Sequence, residues 1–342
     1  MSTPLTLSSP NHLPQNFVVP LKKRPEKEVP LGKDIPIIDI GQPEDFLVEQ
    51  ISKACRDFGL FQVVNHGVPE NLMAEAMKVL KEFFALPAEE KAMFYDEDGK
   101  PNVLVPNYSQ KAKLYTDGNK TSEGEFNFWR DSLAHGCHPL DEELVNSWPD
   151  KPATYKEVIG EYAVEVRNLA KKVLDIICRG LGLPLGYFIK ELIQNQLMFS
   201  NYYPPCPEPS SALGVAGHYD SNIITLVQQD LYALQFLNKD GQWIGVEPIS
   251  NAFIVILGLT FNVITNNVME GAVHRVVTNQ THDRLSIVTF FTPANSTTIV
   301  PAKQLLSEKQ PPLYRPYTYL EYLGNYLGDD SDYDAALKPY KI

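Results

Sequence analysis

A set of polar side chains between residues 218 and 286 constrains this chain more than any other feature. His218 and Asp220 lie two positions apart, so on an extended strand or its frayed end both side chains point the same way. His274 lies 54 residues after Asp220, inside an apolar, β-branched run that is typical of a strand. Two histidines and one carboxylate form the facial triad that binds non-haem Fe(II) and leaves coordination positions open. Zinc sites also use two histidines and an acid, so these ligands alone do not identify the metal.

A second pair, Arg284 and Ser286, follows ten residues after His274 and shares a strand face by the same alternation. A guanidinium beside a hydroxyl suits a carboxylate, because it offers a forked charge-assisted bond and one more donor. A metal with open positions beside a carboxylate anchor indicates an organic acid that also chelates the metal. A lone His-x-Asp or Arg-x-Ser is common, so the prediction depends on the whole set in this order.

The totals limit the kinds of partner. The chain has 342 residues and a net charge of −12, from 42 acidic and 30 basic residues. This charge argues against nucleic acid and anionic membranes as partners and mildly favours a cationic small substrate. The four cysteines form no CxxC pair and are predicted to be free thiols in a reducing compartment. No secretory signal pattern and no run of about 18 apolar residues is present. We therefore expect a cytoplasmic monomer that acts on a small molecule.

The spacing of apolar residues changes along the chain. Helical spacing predicts helices over about 46–58, 72–84, 88–91, 158–177 and 317–327. Gly180, Gly182 and Pro184 are expected to end the longest of these. Residues 95–125 are polar and interrupted by proline and glycine, which is typical of a functional loop or lid.

Short β-branched runs replace the helical spacing after residue 195. Together with two earlier runs, the predicted strands are 35–40, 60–64, 196–203, 223–228, 233–237, 242–246, 253–257, 274–278 and 284–291. Asp240-Gly241 predicts a hairpin turn. Many short strands separated by turns indicate an antiparallel sandwich or barrel.

Three segments resemble a known family, the plant-type Fe(II)- and 2-oxoglutarate-dependent dioxygenases. They are Asn201–Pro207 (NYYPPCP), Ile35–Asp39 (IPIID) and Gly59–Val68 (GLFQVVNHGV), and the resemblance extends over nearly the whole chain. It implies a mainly β fold with α: a double-stranded β-helix, or jelly-roll, core with flanking N-terminal helices and a C-terminal helix. The implied regions are a flexible tail over 1–34, a helical region with a few strands over 35–190, the jelly-roll core over 191–300 and a C-terminal segment covering the site over 301–342.

The resemblance also implies the chemistry. The triad would bind Fe(II), and 2-oxoglutarate would chelate it through its 1-carboxylate and 2-keto oxygen. The distal carboxylate would meet Arg284 and Ser286, with Tyr203 and Asn201 as further cosubstrate contacts. Dioxygen would take the last open position, and ascorbate would support turnover. The expected products are succinate, carbon dioxide and a hydroxylated aliphatic carbon.

Within the family, the chain resembles the hyoscyamine 6β-hydroxylase group, which hydroxylates and epoxidises tropane alkaloids. The segments that carry this resemblance are Phe83–Lys91, Gln110–Tyr115, Leu133–Pro139, Gly258–Thr260 and Ser331–Lys341. A tropane alkaloid is a protonated tertiary amine with an aromatic ester, which requires a carboxylate and an aromatic wall. The candidate substrate residues are Asp117, Arg130, Phe290, Phe291 and Tyr326, with Glu123 and Glu125 as alternative carboxylates.

Departures from the tropane pattern leave other interpretations open. That pattern has Glu at Asp117, Lys at Arg130 and Gly at Ser221, and these positions lie where substrate contacts are expected. One alternative is the same chemistry on another alkaloid, a flavonoid or a terpenoid. A second is an Fe(II) oxidase that does not use 2-oxoglutarate, such as the ethylene-forming type. A third is a non-catalytic binder that kept the fold.

Overall fold

Fourteen strands are found in the part of the chain that the structure describes. This computed structural model describes residues 12–26, 28–94, 113–116, 126–326 and 335–342. The strands are β1 Ile37–Asp39, β2 Leu60–Val64, β3 Lys113–Thr116, β4 Asp131–His138, β5 Asn195–Tyr203, β6 Leu213–His218, β7 Ile224–Gln229, β8 Leu234–Leu237, β9 Trp243–Gly245, β10 Phe253–Leu257, β11 His274–Val277, β12 Arg284–Thr292, β13 Thr298–Ile299 and β14 Tyr317–Thr318.

Eight α-helices accompany the strands in the same described ranges. They are α1 Glu44–Asp57, α2 Glu70–Ala85, α3 Ala88–Lys91, α4 Glu142–Asn146, α5 Tyr155–Leu181, α6 Tyr187–Glu191, α7 Leu259–Ile264 and α8 Tyr319–Tyr326. The longest, α5, ends as expected, because Gly182 adopts the left-handed conformation (φ 67°) that caps it and that glycine enters without steric strain.

Two sheets carry the polar motifs. The large sheet has the order β1-β2-β10-β7-β12-β5-β4-β3, and the small sheet has the order β6-β11-β8-β9. Only β1 and β2 pair in parallel in these two sheets as described. The loop containing Asp240 and Gly241 joins the antiparallel strands β8 and β9, as the hairpin prediction required.

The inner faces of the two sheets pack against each other. Val227 and Ile254 of the large sheet share one buried cluster with Leu234, Phe236 and Val276 of the small sheet. Alternate residues of each strand point into this cluster, because side chains of a strand alternate between its two faces. The fold is the predicted one, mainly β with α, with a jelly-roll core.

Helices cover the outer face of the large sheet. The main buried cluster joins apolar residues of α1, α2 and α5 to outward-facing residues of β7, β10 and β12, such as Leu226, Val255 and Ile287. The apolar stripe of α5 therefore supports the strands that carry the polar motifs from behind. Strands β1 to β4, which precede residue 191, belong to the same sheet as β5, β7, β10 and β12.

The structure contains several elements that the sequence did not predict, among them β3, β6, α4 and α6. Three features bear most on the site. In the described part of the segment before residue 35, for which a flexible tail was expected, Leu13, Phe17 and Val19 are buried and the Phe17 ring packs edge-on against Trp129 at 5.1 Å. Strand β4 was not predicted, because its sequence DSLAHGCH lacks a β-branched pattern and its position between β3 and β5 stabilises it. Helix α7 was not predicted, since its six residues are all buried and show no amphipathic period.

Two further predictions concern the environment of the chain. No helix among the described residues is long and apolar enough to cross a membrane. The four cysteines, Cys55, Cys137, Cys178 and Cys206, are all buried free thiols, as their spacing predicted.

Candidate active site

The three predicted metal ligands meet at one edge of the small sheet. Strand β6 ends at His218 and β11 begins at His274, and these two residues are direct cross-strand partners. Asp220 follows two residues after His218, and its Oδ1 lies 3.5 Å from His218 Nε2 and 3.6 Å from His274 Nε2. One ligand atom from each side chain lies within 4.8 Å of the others, which is close enough for a single ion.

Backbone hydrogen bonds orient both imidazoles. His218 Nδ1 lies 2.9 Å from the carbonyl oxygen of Ala216, and His274 Nδ1 lies 3.1 Å from that of Ala272. A carbonyl can only accept, so each Nδ1 carries the proton and each Nε2 presents its lone pair toward Asp220. Burial lowers the pKa of His274 to about 4, so this ring is neutral at neutral pH, as a metal ligand must be.

A short relay holds the carboxylate of Asp220. Its Oδ2 accepts a hydrogen bond from Thr225 Oγ1 at 2.5 Å, and Asn222 Nδ2 donates to the same hydroxyl at 2.9 Å. Because the Thr225 hydroxyl donates to this carboxylate, it favours the ionised form of Asp220. Oδ1 is thus left as the negatively charged ligand atom, and the donor set of two imidazole nitrogens and one carboxylate fits Fe(II).

A buried cation lies on the facing sheet. Arg284, at the start of β12, is 1% exposed, and no carboxylate of the described residues lies within the 4.0 Å of an ion pair. Its Nε donates to Leu231 O at 3.0 Å, Nη2 to Gln229 Oε1 at 2.8 Å and Nη1 to Ser286 Oγ at 3.3 Å. Its guanidinium carbon lies 4.9 Å from the ring centroid of Tyr203. Burial lowers the pKa of Arg284, and such a buried cation suits an anionic ligand.

Polar residues continue from this cation across the inner face of the large sheet. Gln229, Ser286, Asn201 and Ser132 are cross-strand neighbours on β7, β12, β5 and β4, so their side chains share one face. Asn201 Oδ1 accepts from Ser132 Oγ at 2.6 Å and from Arg130 Nη1 at 3.3 Å. The four predicted cosubstrate residues, Arg284, Ser286, Tyr203 and Asn201, are therefore brought together.

Comparisons with known proteins agree with this geometry. Residues 35–151 match the N-terminal region described as a non-haem dioxygenase in morphine synthesis, and residues 194–293 match the 2OG-Fe(II) oxygenase superfamily. Hyoscyamine 6-dioxygenase from Hyoscyamus niger is 58% identical over 343 residues, which cover 100% of this chain and 99% of that protein. The chain belongs to the plant 2OG-Fe(II) oxygenases.

More distant relatives share the same extent. Flavanone 3-dioxygenase 2 from Oryza sativa subsp. japonica is 37% identical, and the match covers 96% of this chain and 94% of that protein. A crystal structure of JOX2 in complex with 2OG, Fe and JA has a TM-score of 0.84 at 29% identity, with 99% of this chain and 96% of that chain covered. The chain is a 2-oxoglutarate-dependent dioxygenase that uses Fe(II). These matches support this interpretation over an oxidase independent of 2-oxoglutarate and over a non-catalytic binder.

An apolar wall adjoins the polar row, the name used here for Gln229, Ser286, Asn201 and Ser132. Phe290 of β12 and Phe199 of β5 pack edge to face at 5.3 Å and belong to a small cluster with Ala134, Leu197 and Val288. These residues share the inner face with Ser286. Phe291 was predicted as a substrate residue, but it belongs to the main cluster on the outer face and is fully buried. Because strand side chains alternate, Phe290 and Phe291 cannot both face the site.

Of the other predicted substrate residues, the structure describes Arg130 and Tyr326. Arg130 lies beside Asn201 at the end of the polar row. The hydroxyl of Tyr326, in α8, donates to the carbonyl oxygen of Tyr219, the residue between the first two metal ligands. This bond joins the C-terminal helix to the metal loop, the connection between β6 and β7 that contains Asp220 (residues 219–223). Asp117, Glu123 and Glu125 lie outside the described residues.

Four residues of the site were not predicted from the sequence: Asn222, Thr225, Gln229 and Ser132. Thr225 and Gln229 lie four residues apart on β7, so both face inward with Val227 between them. The predicted strand 223–228 included Thr225 but ended one residue before Gln229, and its partner strands were unknown. Ser132 lies on β4, a strand that the sequence did not indicate. His66, expected to be structural, lies 3.0 Å from the carbonyl oxygen of Asn251.

Proposed function

We propose that this dioxygenase hydroxylates an unactivated C–H bond of a tropane alkaloid. The observation that carries the proposal is the 58% identity to a hyoscyamine 6-dioxygenase along the whole chain, against 37% to a flavanone 3-dioxygenase. The net charge of −12 also suits a cationic substrate, since it favours the approach of a protonated amine.

His218, Asp220 and His274 would hold the iron. When bound, Fe(II) and 2-oxoglutarate together with dioxygen supply the oxidation, in which the keto acid becomes succinate and carbon dioxide and the substrate C–H becomes C–OH. The carbonyl partners fix which ring nitrogen of each imidazole faces the metal position, and the hydrogen bond from Thr225 favours the ionised form of Asp220. His218 retains 33% side-chain exposure, so the ligand set opens to one side, where substrate would approach.

Arg284, Ser286, Tyr203 and Asn201 would bind 2-oxoglutarate. The buried guanidinium balances the distal carboxylate in a region that excludes water, where an unpaired charge of either sign would be costly. Ser286 accepts a hydrogen from Arg284, so its own hydroxyl hydrogen is free for the same carboxylate. This arrangement fixes the cosubstrate at the end that does not react.

The apolar wall would receive the aromatic ester of the alkaloid. Phe290 offers a partly exposed ring held by Phe199, and an aromatic ligand ring gains from such an edge or face contact. Arg130, which lies beside Asn201, would contact the ester oxygens, and Tyr326 would close the site beside the metal loop. Asp117 would pair with the protonated amine.

We further propose that the protein acts as a cytoplasmic monomer, consistent with its four free thiols.

The test is turnover of a substrate panel: hyoscyamine, a second tropane amine, a flavanone and a terpenoid acid. We expect hydroxylated hyoscyamine with one succinate formed per product, and mass spectrometry would show whether an epoxide follows. Preferred turnover of the flavanone or the terpenoid acid would overturn the tropane assignment and leave the reaction type intact.

Asp117→Asn tests the amine contact. The change keeps the shape of the side chain and removes its charge, so KM should rise for an amine substrate and stay nearly unchanged for 2-oxoglutarate. Glu123→Gln and Glu125→Gln test the two alternative carboxylates from the same stretch of sequence in the same way. Equal losses on the amine and on a neutral analogue would show that Asp117 does not pair with the nitrogen.

A further inference from the structure

The hydrogens of Arg284 can be counted. A guanidinium has five N–H groups, and three of them donate within the described residues: one to Leu231 O, one to Gln229 Oε1 and one to Ser286 Oγ. The bond from Nε to Leu231 O holds the edge of the guanidinium that carries Nε. These three bonds leave one hydrogen unused on each terminal nitrogen, and Tyr203 lies beside the same guanidinium. Hydrogens on the two terminal nitrogens can together bind both oxygens of a carboxylate, an arrangement called here the end-on fork.

Gln229 fixes one arm of this fork. Arginine can only donate, so the amide oxygen of Gln229 must face Nη2, and its Nε2 must point away. That nitrogen is shielded from solvent and has no hydrogen-bond partner among the described residues. An unpaired buried donor is unfavourable, so the orientation of this amide is better explained by its effect on Arg284 than by its own contribution to stability.

The neighbouring glutamine provides a contrast. Gln228 lies on the opposite face of β7, where its Nε2 donates to the carbonyl oxygen of Met73 in α2 at 3.1 Å. It contacts the helical layer and does not reach Arg284. Two adjacent glutamines on one strand therefore bind two different layers of the fold, and only Gln229 lies in the row with Ser286 and Asn201.

We propose that Gln229 is a positioning residue for the cosubstrate: it holds Arg284 so that its end-on fork faces the distal carboxylate of 2-oxoglutarate. The inference rests on the proposed role of Arg284 as the anchor. It predicts that Gln229 affects the binding of 2-oxoglutarate through the distal carboxylate alone. A 2-oxo acid of equal length without that carboxylate, 2-oxopentanoate, should not sense the residue.

The experiment measures binding to the full-length protein loaded with Mn(II), which prevents turnover. Calorimetric dissociation constants for 2-oxoglutarate and for 2-oxopentanoate would be compared in the wild type and in Gln229→Met, which keeps the side-chain length and removes the acceptor. We expect the dissociation constant for 2-oxoglutarate to rise about tenfold, the lower end for a hydrogen bond to a charged group, and that for 2-oxopentanoate to stay unchanged. Gln228→Met, the control, should change neither.

Two further variants separate the possible failures. Arg284→Met should lose the preference for 2-oxoglutarate, and the double variant with Gln229→Met should be no worse than Arg284→Met alone, because the two residues act as one unit. If Arg284→Met keeps the preference, the anchor assignment itself is wrong. If Arg284→Met loses it but Gln229→Met binds both acids like the wild type, or loses both equally, only the role of Gln229 is wrong.

If Gln229→Met cannot be isolated in a folded form, a second variant, Gln229→Glu, tests the same proposal. Gln229→Glu keeps an oxygen facing Nη2 but adds a negative charge that competes for the guanidinium. We expect it to weaken 2-oxoglutarate binding selectively, again with 2-oxopentanoate unchanged. Wild-type affinity of Gln229→Glu for 2-oxoglutarate would overturn the proposal.

Discussion

Thr225→Val tests how the protein prepares Asp220 for the metal. The substitution preserves the β-branched shape and removes the hydroxyl that donates to Asp220 Oδ2 at 2.5 Å. Among the described residues no other side chain donates to that oxygen, and Asn222 Nδ2 retains its second acceptor, Ile224 O, at 2.9 Å. The change therefore acts chiefly on the carboxylate.

The expected magnitude follows from the type of bond. A hydrogen bond to a charged group contributes about 1.5–3 kcal/mol, and about 1.4 kcal/mol corresponds to a tenfold change in a binding constant. Loss of the Thr225 hydroxyl should thus weaken metal binding by about 10- to 100-fold, the range typical of residues that orient metal ligands. The carboxylate remains, so full occupancy of the metal site should be recovered at higher metal concentration.

The assay is equilibrium dialysis of the protein against Mn(II), or against Fe(II) without oxygen, together with thermal unfolding of the metal-free protein. Thr289→Val is the control, since Thr289 is buried on the outer face of the adjacent strand β12. Unchanged metal affinity in Thr225→Val, or an equal loss in Thr289→Val, would refute the reasoning.

Three further predictions follow from the site and its surroundings. Replacing His218, Asp220 or His274 with Ala should abolish turnover and bound iron, measured by metal analysis, while circular dichroism shows the fold retained; near-normal turnover would contradict the triad. Arg284→Lys keeps the charge and loses the fork, so KM for 2-oxoglutarate should rise by at least tenfold with little change for the alkaloid; equal changes in both would point to a structural role. Burial lowers the pKa of His135 to about 4 from 6.5, so its stabilising effect is complete above pH 6.5 and is lost as pH falls toward 4. The difference in unfolding free energy between wild type and His135→Gln should therefore shrink by about 2 kcal/mol from pH 7 to pH 5 in urea titrations; a constant difference would show that His135 titrates normally.

Strand alternation made much of the site predictable. His218 with Asp220, and Arg284 with Ser286, are neighbours in sequence, so one rule about side-chain direction placed each pair together. The turn at Asp240 and Gly241 and the capping Gly182 were likewise local signals with one structural meaning.

Other features depended on contacts between distant segments. The row formed by Gln229, Ser286, Asn201 and Ser132 exists only because β7, β12, β5 and β4 are adjacent in this register. A shift of one residue would turn each of these side chains to the other face. The direction of Phe291 depends on such contacts as well. Because Ser286 faces inward, alternation along β12 turns Phe291 outward. Periodicity alone could not show which of the two faces of the strand is the inner one.

The division of the site between two sheets explains why its residues are so far apart in the sequence. The imidazoles project from β6 and β11 of the small sheet, whereas Thr225, Gln229 and Arg284 project from β7 and β12 of the large one. A ligand that bridges the metal and the guanidinium must therefore span the space between the sheets, which packing sets at about 10 Å. Asp220 lies on the connection from β6 to β7 and is held by Thr225, so the large sheet also positions a metal ligand. Helix α8 reaches the same connection through Tyr326 and Tyr219. The metal loop is thus held by the large sheet on one side and by the C-terminal helix on the other. Its geometry therefore depends on the small sheet that it leaves, on the large sheet that it enters and on helix α8.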